Sequence, residues 1–126
     1  MNRKVLIVED NKDNSQLVEK ILKFYGYQTQ ILENGEDAIE WCKNNNADMI
    51  LMDIHLPQKS GLETTSEVRK MDTYRTIPII ALTAHAMKGW KDKCLQAGCT
   101  DYITKPFRPQ TLIECMNSHF EPKLNN

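Results

Sequence analysis

Short, uninterrupted apolar runs at regular intervals constrain the fold of this chain more than any other feature. They cover residues 5–8, 49–52 and 77–82, and a shorter run covers residues 102–104. Such runs are typical of strands in a parallel sheet, where helices cover both faces and nearly every side chain is buried. Residues 28–32 are more polar and suit a strand at the edge of a sheet. The pattern therefore predicts five strands.

The segments between these strands have the apolar spacing of helices. They extend over about residues 17–26, 34–45, 61–71, 84–97 and 109–120. In the first segment, the predicted inward stripe consists of Leu17, Val18, Ile21, Leu22 and Tyr25. Three residues indicate where helices start or end. Asn34 suits an N-cap, Gly98 suits the position after a helix C-terminus, and Pro109 suits the first turn of a helix. The sequence thus predicts five helices that alternate with the strands.

Alternation of strands and helices predicts an α/β fold with a parallel sheet covered on both faces. Because crossover connections are right-handed, only a few strand orders are possible. Five strands fit the order 2-1-3-4-5, which is the doubly wound, flavodoxin-like (βα)5 arrangement. A length of 126 residues suits one domain. We expect that domain to cover residues 1–121, with a short tail at 122–126 and no output domain.

Composition excludes some classes of partner. The formal net charge is −1, so no overall attraction to nucleic acid or to an anionic membrane is expected. The first apolar run, residues 5–8, is too short for a signal peptide core or a membrane span. The four cysteines form no C-x-x-C pair and are expected to be reduced thiols. We therefore predict a cytoplasmic protein without direct nucleic-acid or membrane contacts.

Polar side chains follow four of the predicted strands. Glu9 and Asp10 follow the first strand, Asp53 the third, Thr83 the fourth and Lys105 the fifth. In an open α/β sheet, ligands bind outside the carboxyl ends of the strands, where the strand order reverses. In the order 2-1-3-4-5 that point lies between strands 1 and 3. We therefore expect these five side chains to converge there.

The chemistry of this group of side chains favours phosphoryl transfer. Clustered carboxylates repel one another, so some of them must be protonated or bind a cation. A cluster of oxygen ligands with open positions suits Mg²⁺, which keeps several waters and needs few carboxylates. Thr83 and Lys105 can donate hydrogen bonds to phosphoryl oxygens. The site therefore predicts a phosphoryl acceptor with an aspartate as the nucleophile.

Four motifs together resemble the receiver domains of response regulators, the CheY-like family. They are Val-Glu-Asp-Asn at 8–11, Met-Asp-Ile-His-Leu-Pro at 52–57 with Gly61, Leu-Thr-Ala at 82–84, and Tyr-Ile-Thr-Lys-Pro-Phe at 102–107. The resemblance covers essentially the whole chain. It includes both stand-alone, cell-cycle-type receivers and the receivers of hybrid kinases. The position of Met1 just before the first strand and the short tail slightly favour a stand-alone protein.

The resemblance implies a two-component response regulator that is phosphorylated on Asp53. The phosphodonor would be a histidine kinase or a histidine phosphotransferase. Mg²⁺ is the implied cofactor, with Asp10, Asp53 and the backbone carbonyl of His55 as ligands. Glu9 would hold a water molecule bound to the metal.

Further roles follow from the same resemblance. Lys105 and Thr83 would act with the phosphoacceptor in catalysis, and both would bind the phosphoryl group together with Ala84. Thr83 and Tyr102 would form the switch pair that responds to phosphorylation. The bond between Lys105 and Pro106 is expected to be cis.

A downstream protein is expected to bind the face formed by the fourth helix, the fifth strand and the fifth helix. Lys88, Lys91 and Lys93 suggest that this partner offers acidic groups. Trp90 could add an apolar contact if it is exposed, although its spacing also fits the core. Two histidines, His55 and His85, are expected to border the path of the water that hydrolyses the phosphorylated state.

Other functions agree less well with the residues. A phosphatase of the haloacid dehalogenase type needs a second aspartate two residues after the nucleophile, where this chain has His55. A flavodoxin-like cofactor site needs a small-residue phosphate loop after strand 1, and Glu9 and Asp10 would repel phosphate there. The chain has no Gly-x-x-x-x-Gly-Lys loop for nucleotide hydrolysis. A degenerate receiver that is never phosphorylated usually lacks one of the acidic or lysine residues present here.

Overall fold

A computed structural model of the chain describes residues 3–84 and 89–120. Its five strands pair in parallel in the order β2-β1-β3-β4-β5, which confirms the predicted doubly wound, flavodoxin-like fold. The strands are β1 (Lys4–Val8), β2 (Gln28–Leu32), β3 (Met49–Asp53), β4 (Ile79–Thr83) and β5 (Asp101–Thr104).

Alternation of side chains explains why the inner strands are apolar throughout. Val5 and Ile7 of β1 face one core layer, whereas Leu6 and Val8 face the other. All four side chains are fully buried. Because helices cover both faces of the sheet, neither set can be polar. As predicted, the more polar β2 lies at the edge of the sheet and is partly exposed.

In the described residues, four helices connect the strands and a fifth follows β5. They are α1 (Lys12–Phe24), α2 (Gly35–Asn44), α3 (Gly61–Arg69), α4 (Trp90–Ala97) and α5 (Pro109–Phe120). Helices α1 and α5 pack on one face of the sheet, and α2, α3 and α4 pack on the other. In the part of the chain that the structure describes, none of these helices has the length and hydrophobicity needed to cross a bilayer.

Polar side chains define several helix starts. Asn34 accepts a hydrogen bond from the Asp37 N–H at 2.8 Å, which confirms the predicted cap of α2. Ser60 and Glu63 form a reciprocal capping box at the start of α3. That box fixes the entry into α3 immediately after the loop that follows β3.

The prediction for the fourth helix was wrong at its N-terminal end. Residues 84–97 were expected to be helical, but α4 begins at Trp90. Gly89 precedes it with a φ of +95°, a left-handed conformation that cannot lie inside a right-handed helix. Gly98, with a φ of +115°, ends α4 as expected. His85 and Lys88 lie outside the described residues.

The predicted inward stripe of α1 is only partly buried. Val18 and Leu22 belong to the core, but Leu17 is 58% exposed and Tyr25 is 49% exposed. One helix face contacts the sheet over a narrow strip, so the apolar residues at the margins of the stripe remain accessible. Leu17 instead lines a groove beside the carboxyl ends of the strands.

Candidate functional site

The end of β1 places two carboxylates beside each other in different environments. Glu9 is 3% exposed, and its N–H donates to the Leu32 carbonyl of β2 at 3.0 Å. Its Oε2 accepts a hydrogen bond from the Asn11 N–H at 3.2 Å. Asp10 is exposed. Asn11 then caps α1 by accepting from the Asn14 N–H at 2.9 Å, so the chain turns directly from the two acids into the helix.

Asp53 is the last residue of β3 and is 5% exposed. Its Oδ1 accepts a hydrogen bond from the His55 N–H at 3.0 Å, which fixes the orientation of the carboxylate. One oxygen of each of Glu9, Asp10 and Asp53 lies within 4.8 Å of the others. The predicted convergence of the three acids is therefore observed.

Gly61 allows the first turn of α3 to pass close to the backbone of Asp53. Its N–H donates to the Ile54 carbonyl at 2.9 Å and closes the loop after β3. A Cβ at position 61 would collide with the backbone oxygen of Asp53 and lie 2.8 Å from the Cα of Ile54. The first turn of α3 can approach the site this closely only with glycine at that position. The sequence motif included Gly61, but this contact was not predicted.

Lys105 brings a positive charge to the acids from the end of β5. Its N–H donates to the Thr83 carbonyl at 2.7 Å, which continues the pairing of β4 and β5. Its Nζ lies 2.9 Å from Oε1 of Glu9 and 3.5 Å from Oδ2 of Asp53. The bond between Lys105 and Pro106 is cis, as predicted.

Negative charge is in excess at this site. Among the described residues, the site groups the carboxylates of Glu9, Asp10 and Asp53 with the single ammonium of Lys105. Burial raises the pKa of Glu9; the hydrogen bond from Lys105 opposes this rise, and the nearby Asp53 adds to it. A divalent cation would relieve this repulsion, and the oxygen ligands with the exposed side at Asp10 suit Mg²⁺.

Thr83 links the acidic site to the start of α4 through His55. Thr83 ends β4 and is fully buried, and its Oγ1 lies 3.4 Å from Nε2 of His55. The His55 ring packs edge-on against Trp90, with 5.9 Å between ring centroids. Trp90 is partly buried against the core, and Lys93 lies over its ring at 5.1 Å. This chain of contacts was not predicted, because the sequence did not indicate where α4 begins.

Two further predicted residues, Ala84 and Tyr102, line two different grooves. Ala84 lines a groove of about 390 Å³ together with Glu9, Lys105 and Phe107. Tyr102 lies on β5, the strand next to β4, where it is partly buried against the core. It lines a separate groove of about 570 Å³ between β5 and α5. Tyr102 therefore lines a different groove from Glu9 and Lys105.

Comparison with known proteins identifies a matching family and relatives of similar sequence. Residues 5–117 match the response regulator receiver domain. The chain is 42% identical over 119 residues to the polar-differentiation response regulator DivK of Brucella anthropi, covering 94% of this chain and 97% of that protein. The corresponding protein of Brucella ovis is 40% identical over 119 residues, with the same coverage.

Solved structures of receiver proteins superimpose closely on this chain. The receiver domain of the sensor histidine kinase PA1611 from Pseudomonas aeruginosa, which has a magnesium ion coordinated in its active site cleft, superimposes with a TM-score of 0.88. It is 37% identical, and the match covers 94% of this chain and 98% of that one. The chemotaxis protein CheY4 of Vibrio cholerae gives a TM-score of 0.91 at 28% identity, covering 95% and 100%. The fold, the acidic cluster and these relatives together show that the chain belongs to the response regulator receiver family of two-component signalling.

Proposed function

We propose that this chain accepts a phosphoryl group on Asp53 and then changes its binding to a downstream protein. The phosphodonor is a histidine kinase or a histidine phosphotransferase. The observation that supports the proposal most is the position of the Asp53 carboxylate, which lies beside two further acids and the ammonium of Lys105. A buried carboxylate next to a cation-binding cluster and a fixed positive charge suits phosphoryl transfer.

The proposed metal ligands are Asp10, Asp53 and the His55 carbonyl, with Glu9 beside them. Bound Mg²⁺ would neutralise the excess negative charge and offer open coordination positions to phosphoryl oxygens. The magnesium ion in the receiver domain from Pseudomonas aeruginosa supports this choice of cation.

The transfer itself needs a nucleophile and donors for the phosphoryl oxygens. A carboxylate oxygen of Asp53 attacks phosphorus as the bond from phosphorus to the donor's histidine nitrogen breaks, and that nitrogen keeps the electron pair. Lys105, the Thr83 hydroxyl and the Ala84 N–H then donate hydrogen bonds to the phosphoryl oxygens. Later attack by water releases inorganic phosphate and restores the carboxylate. The chain thus acts as a phosphoacceptor that assists its own phosphorylation.

Intact-mass measurement after incubation with Mg²⁺ and acetyl phosphate tests this proposal. We expect the mass to increase by one phosphoryl group, and we expect the increase to disappear when EDTA replaces Mg²⁺. Continuous release of phosphate from unrelated phosphate esters, without a mass increase, would contradict the proposal and indicate a phosphatase.

Replacing Asp10 with asparagine should weaken Mg²⁺ binding and phosphorylation together. Asparagine keeps the size of the side chain but removes one of the charges that attract the cation. Asp10 is exposed, so we expect little change in stability. Titration with Mg²⁺ followed by intact-mass kinetics measures both effects. Asp13→Asn, in the first turn of α1, is the control. Unchanged Mg²⁺ affinity in the Asp10 variant would exclude Asp10 as a ligand.

We further propose that α4, β5 and α5 carry the signal to the partner. A phosphoryl group on Asp53 would attract the Thr83 hydroxyl, and Tyr102 would occupy the space that becomes available. Exposed Lys91 and Lys93 on α4 would favour a partner with acidic groups. The groove beside Tyr102 would accept an apolar side chain of that partner.

Phosphorylation should change the fluorescence of Trp90. Its ring contacts His55, which contacts Thr83, so movement of the threonine would alter the surroundings of the indole. Trp41→Phe leaves Trp90 as the sole tryptophan. We expect Mg²⁺ with acetyl phosphate to change the emission of this variant, and we expect no change when Asp53→Asn is added. Constant emission during complete phosphorylation, verified by mass, would contradict the proposed switch.

A further inference from the structure

A second cluster of possible metal ligands lies at the opposite end of β5 from the phosphoacceptor site. Asp101 begins β5, whereas Lys105 follows its last residue. At a rise of roughly 3.3 Å per residue, about 13 Å of strand separates the two positions. Side chains of Asp101, Cys115 and His119 meet there, and one ligand atom of each lies within 4.8 Å of the others.

The last two turns of α5 supply two of the three side chains. Cys115 and His119 are four residues apart, so they lie on the same face of the helix. The Nε2 of His119 is 2.9 Å from Oδ2 of Asp101, and the Sγ of Cys115 is 3.6 Å from the same oxygen. Both helical side chains are therefore directed at one carboxylate oxygen.

The second oxygen of Asp101, Oδ1, holds the carboxylate in position. Oδ1 of Asp101 accepts a hydrogen bond from the Tyr102 N–H at 2.8 Å. Metal-binding carboxylates are commonly oriented by such a second hydrogen bond, which leaves the other oxygen directed at the ion. All three side chains are only partly buried, so an ion can reach them from solvent.

An ion pair between His119 and Asp101 would not by itself require a thiol, and Cys115 is the residue that points to a metal. The Cys115 thiol lies 3.6 Å from Oδ2 of Asp101, and its proton makes only a weak hydrogen bond there. A bound divalent cation would displace that proton to solvent and convert a weak hydrogen bond into a thiolate–metal bond.

We propose that Asp101, Cys115 and His119 bind a zinc ion through Oδ2, Sγ and Nε2, with the fourth position open to solvent. A thiolate, an imidazole and a carboxylate form a donor set typical of Zn²⁺ and unsuited to Mg²⁺. Tetrahedral ligation at ordinary zinc bond lengths separates sulfur and oxygen ligands by about 3.5 Å, and nitrogen and oxygen ligands by about 3.3 Å. The Sγ–Oδ2 distance of 3.6 Å already fits, and the 2.9 Å from Nε2 to Oδ2 needs only a small increase.

Co²⁺ is a suitable probe because cobalt bound to a thiolate absorbs in the near ultraviolet, whereas Zn²⁺ has no such spectrum. Co²⁺ is added to the full chain in excess Mg²⁺, so that the acidic site around Asp53 is occupied. We expect a thiolate–cobalt charge-transfer band together with visible bands of a tetrahedral site. Added Zn²⁺ should abolish both, since it binds more tightly than Co²⁺ to such ligands.

Substitutions of Asp101, Cys115 and His119 test whether these residues produce the Co²⁺ spectrum. Cys115→Ser should remove the charge-transfer band, and Asp101→Asn and His119→Asn should each lower Co²⁺ affinity by at least about tenfold, as losses around metal sites do. Cys42→Ala, which changes a buried thiol on α2, is the matched control and should keep the spectrum. Absence of the band in the unmodified chain, or an undiminished band in Cys115→Ser, would overturn the proposal. Phosphorylation by acetyl phosphate, measured on the same variants, verifies their fold independently.

Discussion

Replacing Asp53 with asparagine should reduce phosphorylation by acetyl phosphate below detection. Asparagine keeps an oxygen that can accept the hydrogen bond from the His55 N–H, so the geometry of the loop is preserved. The amide, however, lacks the nucleophilic carboxylate that would form the bond to phosphorus. Intact mass measured over a time course with Mg²⁺ and acetyl phosphate gives the result directly.

Measuring the stability of the Asp53→Asn variant shows whether a loss of phosphorylation is due to the missing nucleophile or to unfolding. Removing one of three adjacent negative charges relieves repulsion, so the variant should be at least as resistant to urea as the parent. Asp72→Asn is the matched control, because it changes an exposed aspartate in the 3-10 turn after α3. Equal mass gain in Asp53→Asn and the parent would show that the phosphoryl group is carried elsewhere.

Replacing Gly61 with alanine should damage both the fold and the site. The added methyl group would press on the backbone of Asp53 and Ile54, and neither can rotate away as a side chain could. Overpacking of this kind costs about 2 kcal/mol in the free energy of unfolding, because the backbone must shift. For a domain of this size the melting temperature should fall by roughly 6–10 °C. We also expect slower phosphorylation, since the shift would move the Asp53 carboxylate.

Gly35→Ala provides the control for this prediction. Gly35 begins α2, and a methyl group there would crowd the hydroxyl of Thr64 on α3, away from Asp53. This variant should lose stability but keep its phosphorylation rate at a temperature where it remains folded. If Gly61→Ala left phosphorylation as fast as in Gly35→Ala, the close approach of α3 would have no role in positioning the phosphoacceptor.

The topology and the composition of the site could be predicted because both depend on patterns along the chain. Continuous apolar runs identify strands that are buried on both faces, and their alternation with helices leaves few possible strand orders. Once the order 2-1-3-4-5 is assumed, Asp10 and Asp53 must flank the point where it reverses. The observed grouping of these acids with Lys105 follows from that topology.

Features that depend on distance in space rather than along the chain could not be predicted in this way. The start of α4 depends on the left-handed Gly89, and periodicity alone does not reveal the sign of φ. The contact between His55 and Trp90 joins the loop after β3 to the start of α4, and these two segments are distant in the sequence. The crowding behind Asp53 depends on how closely α3 packs, which a glycine in a motif does not specify.

The cluster of Asp101, Cys115 and His119 is a similar case. The four-residue spacing of the cysteine and the histidine is visible in the sequence, but such a pair on a helix is common. Its partner Asp101 lies 14 residues before Cys115, on a strand. Only the packing of α5 against β5 brings the carboxylate to the other two side chains.

Chemical identification of the phosphorylated residue tests the central proposal most directly. Borohydride reduces an aspartyl phosphate to homoserine, and peptide mass spectrometry then locates that residue in the chain. After treatment with Mg²⁺ and acetyl phosphate, we predict homoserine at position 53 and at no other aspartate. Homoserine at Asp10 instead, or a mass gain that leaves every aspartate unreduced, would contradict the assignment of Asp53 as the phosphoacceptor.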